Sequence, residues 1–367
     1  MEKVKVGIIG CGNISPIYFE AGRKFGILDI VACADIDIER ARARAEEFNI
    51  PRACTVDELL ADPEIEIVIN LTIPKAHADI HLRALEAGKH TYGEKPLAVK
   101  VEDGRQILSL AKEKGLLVGG APDTFLGGAI QTARKLIEDG WIGRPIGATA
   151  FMVGPGPESW HPNPGFLYEE GAGPLFDMGP YYLSALVNLM GPVRRVTGLA
   201  QITHHERMIT NQTNYGMKIP VETPTHIAGL LDFEIGAVGT LITSFDVWGS
   251  ELPDIEIYGT TGTLSVPHPN FYDGSVKVKR QNQIGFTEIP LTHGFTQNSR
   301  GLGVMDMAYA IRNGRPHRAN GDLCYHVLEI MHGLLQASRE GKHYELLSTC
   351  DKPQAFPTDL PEHALDE

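Results

Sequence analysis

The stretch "VKVGIIGCGNIS", residues 4–15, decides how the chain begins to fold. Its Val and Ile residues read as a strand buried on both faces, and Gly10 ends that strand. Gly10 and Gly12, with Asn13 and Ile14, form a turn whose backbone can approach a pyrophosphate at the positive end of the next helix. Ser15 takes the place of the third small residue of this fingerprint. It is compact enough for close helix–strand packing but departs from the usual Gly or Ala. A second apolar run ends in Asp35, an acid about 20 residues further on, as the fingerprint requires. A carboxylate there accepts ribose hydroxyls and repels a 2′-phosphate, and no Arg or Lys directly follows to neutralise it. Asp35 also suits the N-cap of the helix "DIERARARAEEF", a role compatible with ribose binding. These residues predict a dinucleotide site with NAD preferred over NADP.

Beyond that turn the chain alternates. Apolar runs such as "DIVACAD", "EIVINL" and "HTYGEK" are separated by helical patterns such as "AHADIHLRALEAG" and "VEDGRQILSLAKEKG". This alternation reads as βαβ units around a parallel, doubly wound sheet, an α/β domain over residues 1–122. A second domain is expected over 123–349. It opens with a helix and a Pro/Gly-rich loop, then reads as hairpins of a mainly antiparallel sheet, among them "LLDFEIGAVGTLITSFD" around Ile235-Gly236. Two late helices follow. Residues 350–367, with Pro353, Pro357 and Pro361, read as an extended tail.

Composition narrows the function classes. The 367 residues are 43% apolar and 22% charged, ordinary for a soluble globular protein. No run reaches the roughly 18 apolar residues of a membrane span. The N-terminus lacks the regions of a signal peptide, which makes the cytoplasm the expected compartment. Five scattered cysteines with no C-x-x-C argue against a disulfide framework and a zinc site. A formal charge of −13 disfavours nucleic acid and anionic membranes as partners.

"YGEKP", Tyr92 to Pro96, places an acid, an ammonium and a proline where a strand should end. Together with the glycine turn and "DMGPY" (Asp177 to Tyr181), it gives residues 1–340 a resemblance to the glucose–fructose oxidoreductase / inositol dehydrogenase / rhizopine catabolism (Gfo/Idh/MocA) family. The resemblance implies an N-terminal Rossmann domain and a C-terminal α/β domain with a large open sheet, one side binding substrate and the other an identical subunit. It implies an NAD(P)-dependent dehydrogenase of sugars, polyols or cyclitols, assembled as a homodimer or homotetramer. It places Lys95, with Glu94, beside the nicotinamide and the substrate hydroxyl, and allows a cis Lys95–Pro96 bond. It assigns Thr72, Pro74 and His77 of "TIPKAH" to a loop along the cofactor, with His77 on the cofactor side or facing solvent. Asp123 stands where relatives often have Asn, and no cofactor contact is assigned to it.

Many relatives carry histidine where this chain has Tyr181; glucose–fructose oxidoreductase and dihydrodiol dehydrogenase share the tyrosine. On a continuous helix Asp177, Tyr181, Ser184 and Asn188 fall on one stripe, with Pro180 either kinking the helix or standing in its first turn. A tyrosine base needs its pKa of about 10 lowered by roughly 3 units, about 4 kcal/mol. An ammonium within about 4–6 Å supplies 1–3 units, which makes Lys95 a partner of Tyr181. Asp177 is expected to orient substrate or lysine, or to cap the helix. The loop "ESWHPNPGFLYEEG" offers Trp160, His161 and Tyr168 to the faces and rim of a sugar ring. No metal is expected. A sugar dehydrogenase therefore competes with two alternatives: an aldose C1 or dihydrodiol enzyme, and a non-catalytic dinucleotide sensor.

Overall fold

A computed structural model describes residues 1–358, 360, 364 and 365. The chain divides into two compact units. The first comprises Met1–Gly128, Thr292–Leu328 and Pro353–Glu367, and the second Ala129–Leu291 and Glu329–Lys352. The expected second domain over 123–349 is thus interrupted by a segment belonging to the first unit.

In the first unit the strands are β1 (Val4–Ile9), β2 (Leu28–Ala34), β3 (Arg52–Cys54), β4 (Ile67–Asn70), β5 (His90–Gly93) and β6 (Val118–Gly120). They pair in the order β3-β2-β1-β4-β5-β6, all parallel, which is the doubly wound order with its switch point between β1 and β4. The helices α1 (Ser15–Lys24), α2 (Ile38–Phe48), α3 (Val56–Ala61), α4 (Pro74–Glu86) and α5 (Val101–Lys114) connect them. Local sequence sets their ends. Thr55 and Glu58 form a reciprocal capping box on α3, and Gly115 ends α5 in the left-handed region. The N-cap of α2 is Asp37, whose carboxylate accepts from the Glu39 amide, and not Asp35. Ile9, Ala32, Leu59, Val68 and Ile80 share one buried cluster, as strands covered on both faces require.

The second unit opens with α6 (Gly128–Glu138), whose first residue still belongs to the first unit, followed by β7 (Pro145–Val153) and α7 (Gly173–Met190). Then come β8 (Val193–Gln201), a small hairpin of β9 (Glu206–Met208) and β10 (Lys218–Pro220), and β11 (His226–Phe233), β12 (Val238–Ser244), β13 (Ile255–Gly259), β14 (Gly262–Val266), β15 (Val276–Arg280) and β16 (Thr287–Ile289). With β17 (Tyr344–Glu345), eight of these make a nine-stranded sheet in the order β16-β15-β14-β13-β7-β12-β11-β8-β17. Every pairing is antiparallel except β7 with β12. The helix α7 packs on β7, β11 and β12. Pro180 lies inside α7, so the helix is continuous through it and starts earlier, with Pro174 in its first turn.

The late helices are α8 (Leu302–Asn313) in the first unit and α9 (Gly321–Glu340), at whose Leu328–Glu329 step the unit boundary falls. Of the expected tail, residues 359, 361–363 (Pro361 among them), 366 and 367 lie outside the described part. The rest is packed. Phe356 is buried against Phe295, ring centroids 5.6 Å apart, with the Arg318 guanidinium 4.9 Å from its ring centre. Among the described residues no helix is long and apolar enough to cross a membrane.

Candidate active site

The glycine turn in the first unit is built by close backbone approach. Gly10 has φ +101°, donates its amide to the Ala34 carbonyl at 2.8 Å, and sits so tightly that a Cβ would lie 2.6 Å from the Leu71 carbonyl. At Gly12 the opposite holds: among the described residues, its chain neighbours apart, no atom lies within 4 Å of where a Cβ would be, so that side is open to a ligand. A pyrophosphate fits this arrangement, with exposed Asn13 and Ile14 leading into α1. The departure at Ser15 has a local reason. Its buried hydroxyl donates to the Gly12 carbonyl at 2.8 Å and closes the turn.

Asp35 is 8% exposed at the end of β2. Its carboxylate accepts the Cys11 amide at 2.8 Å and the Asp37 amide at 2.9 Å. The expectation of an unneutralised carboxylate is corrected here, since one turn into α2 the Arg40 guanidinium comes within 3.5 Å of it. Helical spacing brought in a cation that the adjacent sequence lacked. A cavity of about 550 Å³ lies here, lined by Cys11, Gly12, Asn13, Arg40, Ala43 and Arg44.

Three strands end side by side at the lysine loop. Glu94 receives the Tyr18 hydroxyl at 2.8 Å, and its amide donates to the Asn70 carbonyl at 2.9 Å. Burial, with the Glu94 charge adding to it, raises the Tyr18 pKa well above 10, so this phenol stays a neutral donor. Lys95 is half-buried, and its bond to Pro96 is cis. Thr72 donates its hydroxyl to Asn70 Oδ1 at 2.7 Å, and Pro74 opens α4. The structure moves His77 away from both expected positions: it is 1% exposed, with Nδ1 2.7 Å from the Pro96 carbonyl and Nε2 3.0 Å from the Thr72 carbonyl. Burial lowers its pKa below 6.5, while the two carbonyls pull the other way. Asp123, fully buried, accepts the amides of Gly301 and Gly303 at 2.9 Å each and so caps the start of α8.

In the second unit Asp177 and Tyr181 stand four residues apart on α7, Asp177 half-buried and Tyr181 8% exposed. The N-cap is Ala172, so Asp177 lies within the helix and does not cap it. Further along the stripe, Asn188 is buried and accepts Arg134 at 2.8 Å, which anchors the helix. In the preceding loop Trp160 is exposed and meets His161 edge-on at 5.5 Å. Tyr168 is withdrawn from the surface: it is fully buried, donates to Glu158 at 2.8 Å, and packs with Ile209, Ile219 and Phe245. Its placement is that of wall packing, because the large ring reaches the apolar cluster and its hydroxyl finds a carboxylate there.

Sequence reasoning missed Arg207. It pairs with Glu158, reaches Asp246 at 2.6 Å, and donates to the carbonyls of Pro155 at 2.7 Å and Phe245 at 3.0 Å. It ties the loop after β7 to the loop after β12, beside a cavity of about 300 Å³ that Ser159, Glu206 and Trp248 also line. No short motif joins these partners, so only the fold could reveal the clamp.

A glycine turn with an acid at the next strand end, in a parallel sheet of this order, defines an NAD-binding Rossmann domain. The chain belongs to the Gfo/Idh/MocA oxidoreductase family: residues 4–120 match its NAD-binding Rossmann fold and residues 130–265 its C-terminal domain. It is 28% identical over 241 residues to the uncharacterized oxidoreductase C115.03 of Schizosaccharomyces pombe, covering 60% of this chain and 64% of that protein. It is 26% identical over 293 residues to levoglucosan dehydrogenase of Pseudarthrobacter phenanthrenivorans, covering 72% of this chain and 73% of that one. A solved levoglucosan dehydrogenase in complex with NADH shares the fold, with a TM-score of 0.81 and 21% identity over 95% of this chain and 100% of that chain.

Proposed function

We propose that the protein is an NAD-dependent dehydrogenase that oxidises a secondary hydroxyl of a sugar, glycoside or cyclitol. The observation that carries this reading is the Glu94–Lys95–Pro96 loop, held at the end of β5 by Tyr18, Asn70 and His77 in a chain of this family. Such support fixes the backbone from which the Lys95 ammonium would act on the transition state. The dinucleotide, when bound, supplies the hydride acceptor. Gly10, Gly12, Asn13 and Ile14 hold its pyrophosphate and Asp35 its ribose, with Thr72 and Pro74 along its course. Tyr181 removes the hydroxyl proton, and Lys95 favours the phenolate that does so. Asp177 orients the substrate, and Trp160 and His161 offer it an aromatic face and a polar rim. Levoglucosan dehydrogenase among the relatives supports a pyranose-like ligand. The same reading includes self-assembly into a homodimer or homotetramer through the uncovered face of the nine-stranded sheet, and residence in the cytoplasm.

The test is a panel of anhydrosugars, hexoses, glycosides and inositols with NAD⁺, read as NADH absorbance. Tyr181→Phe should abolish turnover, at least about 100-fold, while NADH still binds by fluorescence titration. Near-wild-type turnover would remove Tyr181 from the mechanism. NADH binding by the wild type without turnover of any substrate would favour a sensor.

A further inference from the structure

We propose that His77 is a positioning residue that couples the nucleotide turn to the lysine loop. The inference rests on Lys95 acting beside the bound dinucleotide. Its observations lie where three neighbouring strands of one unit end. The Gly10 turn lies close against the backbone of Leu71 and Thr72, since a Cβ added at Gly10 would come within 2.6 Å of the Leu71 carbonyl and 2.8 Å of the Thr72 nitrogen. The Thr72 carbonyl lies 3.0 Å from His77 Nε2, and the Pro96 carbonyl 2.7 Å from His77 Nδ1, one residue past Lys95. Any displacement of the Thr72 turn is therefore passed through one rigid ring to the residue after the lysine.

The surroundings keep that ring from absorbing the displacement. His77 is 1% exposed, and Asn70 Nδ2 holds its own carbonyl at 3.0 Å. The Asn70 Oδ1 meanwhile takes the Thr72 hydroxyl at 2.7 Å, and the Asn70 carbonyl takes the Glu94 amide at 2.9 Å. One turn further along α4, His81 donates to or accepts from Thr91 at 2.8 Å and fills the space above Gly93, where a Cβ would lie 2.4 Å from its Nε2. A neutral imidazole carries one N–H for two carbonyl neighbours, so the ring is held between them by position as much as by bonding.

The test reads Lys95 without requiring turnover. Lysine amines are dimethylated with carbon-13, and Lys95→Arg assigns the resonance. NADH is expected to shift the Lys95 resonance in the wild type and not in His77→Leu. That variant should also lose about 10–100-fold in kcat at saturating NAD⁺, the scale of an ångström-sized misplacement. His77→Asn, which keeps an N–H for the Pro96 carbonyl, should recover part of both. An unchanged NADH-induced shift in His77→Leu, or no shift in the wild type, overturns the proposal. Should the leucine variant fail to fold, His77→Asn decides: a reduced shift supports the coupling and a full shift overturns it. If no substrate is turned over, the dehydrogenase reading fails, while the resonance still decides the role of His77.

Discussion

Asp35 shows how one side chain serves fold and ligand together. It holds the Cys11 amide of the glycine turn and the Asp37 amide at the start of α2, so its placement is fixed before any dinucleotide arrives. Close to a 2′-phosphate its charge would cost several kcal/mol if unneutralised, and Arg40 at 3.5 Å offsets part of that. Asp35→Ser is accordingly expected to narrow the NAD/NADP ratio of kcat/KM by about tenfold or more, roughly 1.4 kcal/mol per decade. Arg40→Ala should widen that ratio. Steady-state kinetics with both cofactors checks the pair, and an unchanged ratio in Asp35→Ser would refute the ribose role.

The nine-stranded sheet makes its own prediction, because strand register assigns every side chain to a face. Leu199, Ala228, Ile242 and Phe151 are cross-strand neighbours over β8, β11, β12 and β7. On the same face Leu199 is 74% exposed, Leu230 47% and Val238 53%. On the opposite face Leu334 of α9 packs against Gly198 and Gly229. An open apolar face of this kind is where a second copy would bury its counterpart. Leu199→Lys with Leu230→Lys should convert the proposed oligomer to monomer in sedimentation velocity without loss of far-UV circular dichroism. A wild-type protein that sediments as a monomer at micromolar concentration would remove the assembly from the reading.

The folded first unit as a body resists protonation of its interior. Burial lowers the His81 pKa to about 3 and that of His317 to about 4, from an ordinary 6.5. Between pH 6.5 and those values the unfolded chain binds protons that the folded chain refuses, so stability is full above pH 6.5 and declines as pH falls. For two such groups the slope is roughly 3 kcal/mol per pH unit at its steepest, at about 1.4 per proton. Carboxylates remain ionised above about pH 5, so the window from 6.5 to 5 isolates the histidines. Urea unfolding followed by circular dichroism should show the midpoint dropping steeply across that window. A flat profile would mean these rings are hydrated in the native state.

Much of this could be read in the chain before folding. The glycine turn, the acid ending β2, the alternation that makes a parallel sheet, and the Asp177–Tyr181 spacing are set by short-range backbone preferences and helical or strand periodicity. These act between residues a few positions apart. What could not be read depends on which distant segments meet. The approach of Arg40 to Asp35 needed the turn of α2, and the bridge from His77 to Pro96 needed the ends of β4 and β5 side by side. Arg207 needed the loops that follow the neighbouring parallel strands β7 and β12 brought side by side. Tyr168 was legible as an aromatic on a candidate sugar loop, but a burial site and a carboxylate partner drew it inward. Residues 292–328 return to the first unit, where the Asp123 carboxylate takes the Gly301 and Gly303 amides and α8 packs on β6, and local pattern carries no record of such long-range complementarity.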